Sequence, residues 1–330
     1  MQIVLDTRGL QFSVRNKCFY IQSETTSRII HPSRINSILV TAPCRISSPA
    51  LILAAQSEIP VTICNPSGKP EVRMWTPRFL NIASLRRKQY QYSTTTSGLK
   101  WAFSVLLLKM EGQLTNLTFL ADRKTSLAGD VQKIVAECNL QIDKVKGKLG
   151  QSDMIQKKDL FFVEAYTASR YWQNLGLKLP EPFNFTNRIK KDPRDLFNNT
   201  INYLYGMLRN TTESSILSMG IDPALGILHR DGYKTPSLVF DLMEPFRPVI
   251  DKVLVRLILE NKLDPVSAIE GNGPVLLSKL YRRQIISIFN ETLKTRLLFR
   301  NSVNTLQNHI LTEVSCLVNQ IKSISLQNEQ

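Results

Sequence analysis

The stretch LQFSVRNKCFYI at residues 10–21 has the spacing of apolar residues typical of β-strands, and WAFSVLLLKMEGQLTNLTFL at residues 101–120 has the spacing typical of a helix. In the first stretch Leu10, Phe12 and Val14 alternate with polar residues, a period of two that buries one face of a strand. In the second, apolar residues recur every three or four positions, which is the spacing of an amphipathic helix. The chain therefore changes from strands to helices between these two points.

The rest of the chain extends this division. A helix is predicted to begin at Ser48 as N-cap, with Pro49 in its first turn. We expect an α+β protein with a small N-terminal β-rich domain, residues 1–78, followed by a large all-α C-terminal domain, residues 79–330. Further short strands are predicted at residues 38–40, 61–63 and 72–75, and helical spacing runs from residue 86 onward and through residues 161–172, 196–217, 245–259 and 276–318.

Positive charge is the informative bulk property. The chain has 42 Lys and Arg against 27 Asp and Glu, a formal charge of +15. Basic residues outnumber acidic ones by 9 to 4 in residues 1–80, 13 to 7 in residues 81–160 and 20 to 16 in residues 161–330. A surplus spread in this way suggests a polyanion that touches much of the surface. On charge alone, a merely basic soluble protein is an equally good interpretation.

Cysteine usage and the N-terminus indicate the compartment. The five cysteines are scattered without a CxxC pair, which indicates reduced thiols and no zinc site. The opening residues place Asp6 and Arg8 where a signal peptide needs an apolar run. The strongest apolar block, residues 105–108, is too short to span a bilayer. We therefore expect a cytoplasmic protein with no membrane partner.

Three segments contain residues that could carry chemistry. Asp241 and Glu244 lie three apart in an apolar stretch, so in a helix they share one face, and burying them is costly unless they are paired or bind a metal. His229 precedes them, and histidine with carboxylates suits Mn²⁺ or Mg²⁺ near phosphates. The two acids could equally be a helix-start pair or salt-bridge partners. Glu164, inside an aromatic helix, could likewise be bridged to a neighbouring arginine. The other two histidines, His31 and His309, are predicted to be structural.

Four segments occur in an order that resembles a known family. They are EAYTASRYW at 164–172, NYLYG at 202–206, GIDPALGILH at 220–229 and SLVFDLMEPFRP at 237–248. The set resembles the CRISPR-associated integrase of the spacer-acquisition stage, whose members have "EG…AR.YW", "LNYGY", "GLDP..GFLH" and "SL..DLME.FRP". LDTRG at 5–9, ISSPAL at 46–51 and EIPV at 58–61 extend the resemblance over nearly the whole chain. Ala165, Leu204 and Ile227 depart from the family pattern without removing a chemical group.

The resemblance implies a site and a reaction. By motif, the metal ligands are Glu164, His229 and Glu244, with Asp241 as a nearby acidic residue that assists or occasionally ligates, and the cofactor is Mg²⁺ or Mn²⁺. The implied reaction joins the 3′-hydroxyl ends of a duplex DNA prespacer to the repeat of a CRISPR array, and the same site used with water gives endonuclease activity. A bound cation suits this chemistry because it neutralises the charge that develops on the phosphoryl oxygens. The implied partners are double-stranded DNA, a second copy of the chain bound through the β domain, and a small second CRISPR-associated adaptation protein.

Basic clusters and rival functions remain open at this stage. The candidates for phosphate contact are Arg86, Arg87 and Lys88, then Lys279, Arg282 and Arg283, and the run from Arg188 to Lys191, although each could equally be a solvated face. The segment Gly271–Gly273 is predicted to be only a turn. Two alternatives are a transposon-borne integrase of the same fold and a non-catalytic basic scaffold that only binds DNA. The intact ligand set argues against the scaffold.

Overall fold

The computed structural model describes residues 1–65, 70–74, 83–123, 128–150, 156–229, 232, 235–265, 268–270 and 276–325. The expected domain boundary at residues 78 and 79 lies outside these ranges, as do Trp75 and the turn at Gly271–Gly273. Within them, the N-terminal part is rich in strands and the remainder is mainly helical. The predicted fold class is confirmed.

The N-terminal domain contains two four-stranded sheets and one helix. One sheet has the order β1-β5-β7-β8, in which the first three strands are parallel, and the other has the order β4-β3-β2-β6. Asn16 and Lys17 join β2 to β3 with positive φ angles of 51° and 57°, as a two-residue hairpin turn requires. The elements are β1 (Gln2–Leu5), β2 (Gln11–Arg15), β3 (Cys18–Gln22), β4 (Ser27–Ile30), β5 (Ser37–Val40), β6 (Arg45–Ile46), α1 (Ser48–Gln56), β7 (Val61–Cys64) and β8 (Pro70–Arg73).

The alternation that predicted β2 also accounts for the core of this domain. Phe12 and Phe19 are buried and face each other from β2 and β3, with their rings stacked at 5.1 Å. The N-cap of α1 is Ser47 rather than Ser48, because the Ser47 hydroxyl accepts from the backbone N–H of Ala50. The prediction for this helix was therefore wrong by one residue at its start.

The helical domain is built around one long helix. Helix α3 runs through the centre of this domain and contacts α4, α5 and α8. Gly112 of α3 lets α8 approach closely, since a Cβ there would lie 2.7 Å from the Cβ of Pro248. The helices are α2 (Ala83–Ser93), α3 (Thr96–Arg123), α4 (Ala128–Gly150), α5 (Lys157–Gly176), α6 (Leu196–Ser218), α7 (Ser237–Met243), α8 (Arg247–Leu259), α9 (Lys279–Lys294) and α10 (Leu306–Lys322), with a 3-10 turn at Glu244–Phe246.

Helical spacing at residues 276–318 predicted more helix than the structure contains. A hairpin of β11 (Arg296–Phe299) and β12 (Ser302–Thr305) separates α9 from α10. Its turn residues Arg300 and Asn301 have positive φ angles of 44° and 63°, which a helix cannot include. A second short ladder pairs β9 (Ile269–Glu270) with β10 (Leu276–Leu277).

The two domains contact each other through α9. The backbone N–H of Gln2 in β1 donates to Asn290 Oδ1 at 3.1 Å, and Arg283 pairs with Asp6 at 3.5 Å. The five cysteines are free thiols, as expected. In the described part of the chain no helix is long and apolar enough to cross a membrane.

Candidate metal centre

Two of the predicted ligands meet at a shared cation. Glu164 lies on α5, Glu244 begins the 3-10 turn after α7, and the side chain of Lys109 reaches between them from α3. Lys109 Nζ donates to Glu164 Oε1 and lies 2.7 Å from Glu244 Oε2. Because the three residues come from separate elements, only the packing of α3 against α5 and the 3-10 turn brings them together.

The environment of Glu244 keeps it ionised. Its carboxylate is buried, and burial alone would raise its pKa. The charges of Arg247 and Lys109 outweigh burial and lower the pKa to about 2. Arg247 Nε donates to Oε1 at 3.0 Å, whereas Oε2 receives no hydrogen bond of ordinary geometry from the described residues despite its closeness to Lys109. Glu244 thus presents one oxygen held by Arg247 and one oxygen paired with the Lys109 ammonium.

Lys109 is a buried lysine that retains its charge. Its side chain is only 11% exposed. Burial lowers the pKa of Lys109, but the negative charges of Glu244 and Glu164 outweigh burial and leave the pKa raised. Sequence reasoning missed this residue, since a lone lysine in an amphipathic helix gives no local signal.

His229, the third predicted ligand, is held in place by Asp241. His229 Nδ1 lies 2.6 Å from Asp241 Oδ1. Since a carboxylate only accepts, this nitrogen carries the proton and donates, so in the neutral imidazole Nε2 is the nitrogen with the lone pair that a metal would need. The histidine side chain is 38% exposed, and the rings of Phe161 and Phe240 lie at 6.3 and 6.4 Å from its own.

Asp241 is saturated by hydrogen bonds. Besides the imidazole, its carboxylate accepts from the backbone N–H groups of Ile227, Leu228 and His229, at 2.7, 2.9 and 3.1 Å respectively. With four donors on two oxygens and no exposed surface, it has no lone pair left for a cation. Gly226 makes this tight loop possible, because a Cβ there would lie 2.6 Å from the backbone oxygen of His229.

Pro245 directly follows Glu244, and a residue before proline is biased away from the helical region. Glu244 nevertheless has φ −53° and ψ −47°, in the helical region. The chain continues directly from α7 into the 3-10 turn, where Pro245 lies near the start and its missing N–H leaves no bond unmade. Asp241 and Glu244 are therefore both buried, but one carboxylate binds the His229 loop and the other binds Lys109 and Arg247.

The alternative interpretations of these acids are partly correct. Glu244 does form salt bridges, to Lys109 and Arg247. Glu164 is bridged to a lysine of another helix, and not to a neighbouring arginine. His309 is structural, as predicted, because it is buried and its Nε2 lies 3.0 Å from the backbone oxygen of Leu297.

The described residues fit a divalent cation in their chemistry, although they do not form a finished metal cage. No three His, Cys, Asp or Glu side chains in the described ranges are grouped closely enough to hold a metal as they stand. Two carboxylates nevertheless share a cation already, the ammonium of Lys109. A metal would take the place of this ammonium at the carboxylates, with the imidazole of His229 as a further ligand, and oxygen and imidazole ligands suit Mg²⁺ or Mn²⁺.

A second buried network, also missed from sequence, supports the centre. Asp251 of α8 accepts from Tyr205 at 2.5 Å and from Tyr171 at 3.1 Å. The Arg247 guanidinium lies 4.6 Å from the centre of the Tyr205 ring, so the network reaches the partner of Glu244. Burial raises the pKa of Asp251 to about 6, against the lowering effect of the two tyrosine hydrogen bonds. Both tyrosines lie in the family motifs at residues 164–172 and 202–206, but nothing in those motifs indicated that they would bind Asp251.

The predicted DNA-binding residues have mixed surroundings. Arg87 and Arg283 are exposed, but Arg283 also contacts Asp6 and Thr7 of the β domain. Lys88 donates to the backbone oxygen of Lys322 at 2.8 Å. The remaining members, which are Arg86, Lys279 and Arg282, are partly buried.

The run from Arg188 to Lys191 divides in the structure. Arg188 is a structural residue, since it donates to Asn198 and Asn202 and stacks on the Trp172 ring at 5.5 Å. Lys190 is exposed, and its pKa is lowered by partial burial and then by the charges of Arg247 and Lys109. The charges of the Lys109, Glu164 and Glu244 cluster therefore act on Lys190.

Solved structures share this two-domain architecture. A casposase bound to integration product superposes with a TM-score of 0.81 at 23% identity, over 99% of this chain and 92% of that chain. A chain of the Cas6-RT-Cas1–Cas2 complex superposes with a TM-score of 0.75 at 18% identity, over 98% of this chain and 35% of that chain. The fold thus defines the class, a β-sheet domain joined to a helical domain as in Cas1 proteins and casposases.

The chain belongs to the family described as CRISPR associated protein Cas1, whose model matches residues 3–291. It is 27% identical over 312 residues to the CRISPR-associated endonuclease Cas1 1 of Archaeoglobus fulgidus, covering 91% of this chain and 90% of the relative. The resemblance read from the motifs is confirmed, and with it the expected enzyme class, endonuclease and integrase.

Proposed function

We propose that this protein is a metal-dependent integrase and endonuclease that joins the 3′-hydroxyl ends of duplex DNA prespacers to a CRISPR repeat. The observation that supports this most is the pair of carboxylates, Glu164 and Glu244, which come from separate elements and share one cation. Two carboxylates that already share a cation, together with a histidine from the same part of the family motifs, suit phosphodiester chemistry at a divalent cation.

In this proposal Glu164, Glu244 and His229 hold Mg²⁺ or Mn²⁺, and Asp241 orients His229. The cation, when bound, would neutralise charge on the phosphoryl oxygens and help to align the attacking hydroxyl. Asp241 holds the proton of His229 on Nδ1, so that in the neutral imidazole Nε2 carries the lone pair that would bind the metal. Arg247 holds one oxygen of Glu244 and thereby orients the other.

The protein surface supplies the contacts to DNA in this proposal. Exposed basic residues, Arg87 and Lys190 among them, would hold phosphates without reading sequence. Lys190 is a candidate for contacting a phosphate near Glu244 and Glu164, and the electrostatic influence of these two carboxylates on its pKa supports this. A surplus of +15 over the whole chain favours such contacts.

We also propose the partners and compartment that the family suggests. The β domain would form a symmetric homodimer, which light scattering tests, and the dimer would bind a small second CRISPR-associated protein. The shared fold with a chain of the Cas6-RT-Cas1–Cas2 complex supports that partner. The five free thiols support a cytoplasmic location.

A transposon-borne integrase is the second candidate, and the similarity to a casposase favours it. The two candidates differ in substrate. A repeat-containing plasmid and a transposon-end duplex, offered separately with the same labelled partner DNA, distinguish them by which one receives the label.

The experiment for the metal centre is a strand-joining assay on a labelled prespacer with Mn²⁺ or Mg²⁺. Glu164→Ala, His229→Ala and Glu244→Ala should each abolish joining, and chelation should do the same to the wild type. Glu313→Ala is the matched control, because Glu313 is also buried and ion-paired, to Arg300 at 2.8 Å, but lies on α10. Full activity in any of the first three variants would remove that residue from the ligand set.

A further inference from the structure

Lys109 has a position that the proposed reaction leaves unexplained. Its ammonium lies between the two carboxylates that would hold a divalent cation, donating to Glu164 and lying 2.7 Å from Glu244. We propose that Lys109 is a built-in counter-ion of the metal-free centre, which a divalent cation must displace from at least one carboxylate, so that Lys109 sets the metal affinity of the site. This inference rests on the proposed function of Glu164 and Glu244 as ligands.

Charge balance is the first argument for displacement. Among the described residues that pair with one another around Lys109, Glu164 and Glu244 carry two negative charges, and Lys109 and Arg247 carry two positive charges, whereas Asp241 pairs separately with His229. A divalent cation would add two positive charges to a set of four side chains that is already neutral and largely buried. Like charges in such a setting repel strongly, so binding is favoured only if a cation leaves.

Geometry identifies Lys109 as the cation that leaves. Arg247 follows Glu244 by three residues on the same continuous turn, holds Oε1 and packs over the Tyr205 ring, so two contacts keep its guanidinium in place. Lys109 comes from a different helix and approaches Oε2, the oxygen that receives no hydrogen bond of ordinary geometry from the described residues. An ammonium on a flexible four-carbon chain can also move without any change of backbone.

Burial explains why a lysine is present at all. Two facing carboxylates without a cation would repel each other, and burial would increase the cost. The Lys109 side chain, 11% exposed, keeps α3, α5 and the 3-10 turn together until a metal arrives. The alternative is a permanent brace, in which the ammonium keeps both carboxylates and helps to assemble the metal site.

Metal affinity separates the two roles. We would titrate Mn²⁺ into the chelator-treated full chain by calorimetry, for the wild type, Lys109→Met and Lys109→Gln, each with and without Glu164→Gln. Displacement predicts that both neutral variants bind Mn²⁺ on the order of tenfold to a hundredfold more tightly, through a site that Glu164→Gln removes. Lys109→Arg, which keeps the charge, should bind no more tightly than the wild type.

The chain offers a matched control. Lys146 also lies between two carboxylates, 3.6 Å from Glu111 and 3.9 Å from Asp143, but is 43% exposed on α4. Lys146→Met should change Mn²⁺ affinity by less than about twofold, because exposed ion pairs contribute little. Melting curves add an independent readout. Lys109→Met should melt below the wild type in chelator and gain more from Mn²⁺ than the wild type does.

Each outcome has a defined meaning. Equal or weaker Mn²⁺ binding by the neutral variants, with the Glu164-dependent site intact in the wild type, overturns displacement and leaves the proposed function standing. Absence of a Glu164-dependent site in every variant overturns both. A site that appears only when Lys109 is neutral supports displacement in its strongest form. If Lys109→Met does not fold, the pair Lys109→Gln and Lys109→Arg carries the test.

Discussion

Replacing Asp241 by asparagine tests whether Asp241 only orients the ligand His229 or is itself a metal ligand. The carboxylate of Asp241 accepts four hydrogen bonds, three from the backbone of residues 227–229 and one from His229 Nδ1. An asparagine has one oxygen that accepts two bonds, and its NH₂ group would face donors at the other position. The variant therefore keeps about half of the bonds that shape the His229 loop.

The expected magnitude follows from these bonds. Each hydrogen bond to a charged group contributes about 1.5–3 kcal/mol, so losing two of them loosens the loop by roughly 3–6 kcal/mol. Part of this loss is recovered because the exposed His229 side chain can still reach the centre in a fraction of molecules. The loss of an orienting partner commonly costs about 10–100-fold in metal affinity or activity, and we expect Asp241→Asn to fall in that range.

The assay compares Asp241→Asn with Glu244→Gln in strand joining over a series of Mn²⁺ concentrations. Asp241→Asn should retain measurable joining that rises with Mn²⁺, because a mis-oriented site can be refilled by mass action. Glu244→Gln should lose nearly all joining at every concentration, because an oxygen ligand with its charge is missing. Asp195→Asn is the control, since Asp195 also accepts a backbone N–H, from Asn198 at 2.7 Å, but caps α6.

The opposite order of the two variants would refute this reasoning. If Asp241→Asn were the less active of the two and did not respond to Mn²⁺, Asp241 would be the direct ligand. Equal loss in Asp195→Asn would show that the assay reports general destabilisation.

Two further predictions concern pH and salt. The pKa of Asp251 is raised from 3.8 to about 6, so the folded state binds this proton more tightly than the unfolded state. The stabilisation from this group is complete below about pH 4 and is lost as pH rises through about 6. Over that window the free energy of unfolding of the wild type should fall by up to about 3 kcal/mol relative to that of Asp251→Asn, measured by urea unfolding. A constant difference between the two proteins would contradict the raised pKa. Affinity for duplex DNA should fall roughly 10³-fold or more between 50 and 200 mM salt if six or more phosphates are contacted. Anisotropy titrations at several salt concentrations measure this, and Glu244→Gln should show the same slope as the wild type. An affinity that does not change with salt would mean that the positive charge serves another purpose.

Local patterns were sufficient for most of the fold. The alternation at Leu10, Phe12 and Val14 predicted β2, and helical spacing at residues 196–217 matched α6 almost to the residue. Such patterns work because the burial of one face is a property of consecutive residues. The same reasoning failed at residues 296–305, where helical spacing continued through what is a hairpin. Periodicity cannot register a two-residue turn with positive φ when neither residue is glycine.

The sequence alone also determined the candidate site residues, because the ordered motifs contain Glu164, His229, Asp241 and Glu244. Only the tertiary structure decided how they differ. Asp241 and Glu244 share one short helical segment, yet a loop that precedes them saturates the first, and two cations bind the second. Lys109 is 55 residues from Glu164, and no spacing rule links them. A side chain's partners at such a distance depend on how helices pack, which is settled by the whole core and not by any segment of the chain.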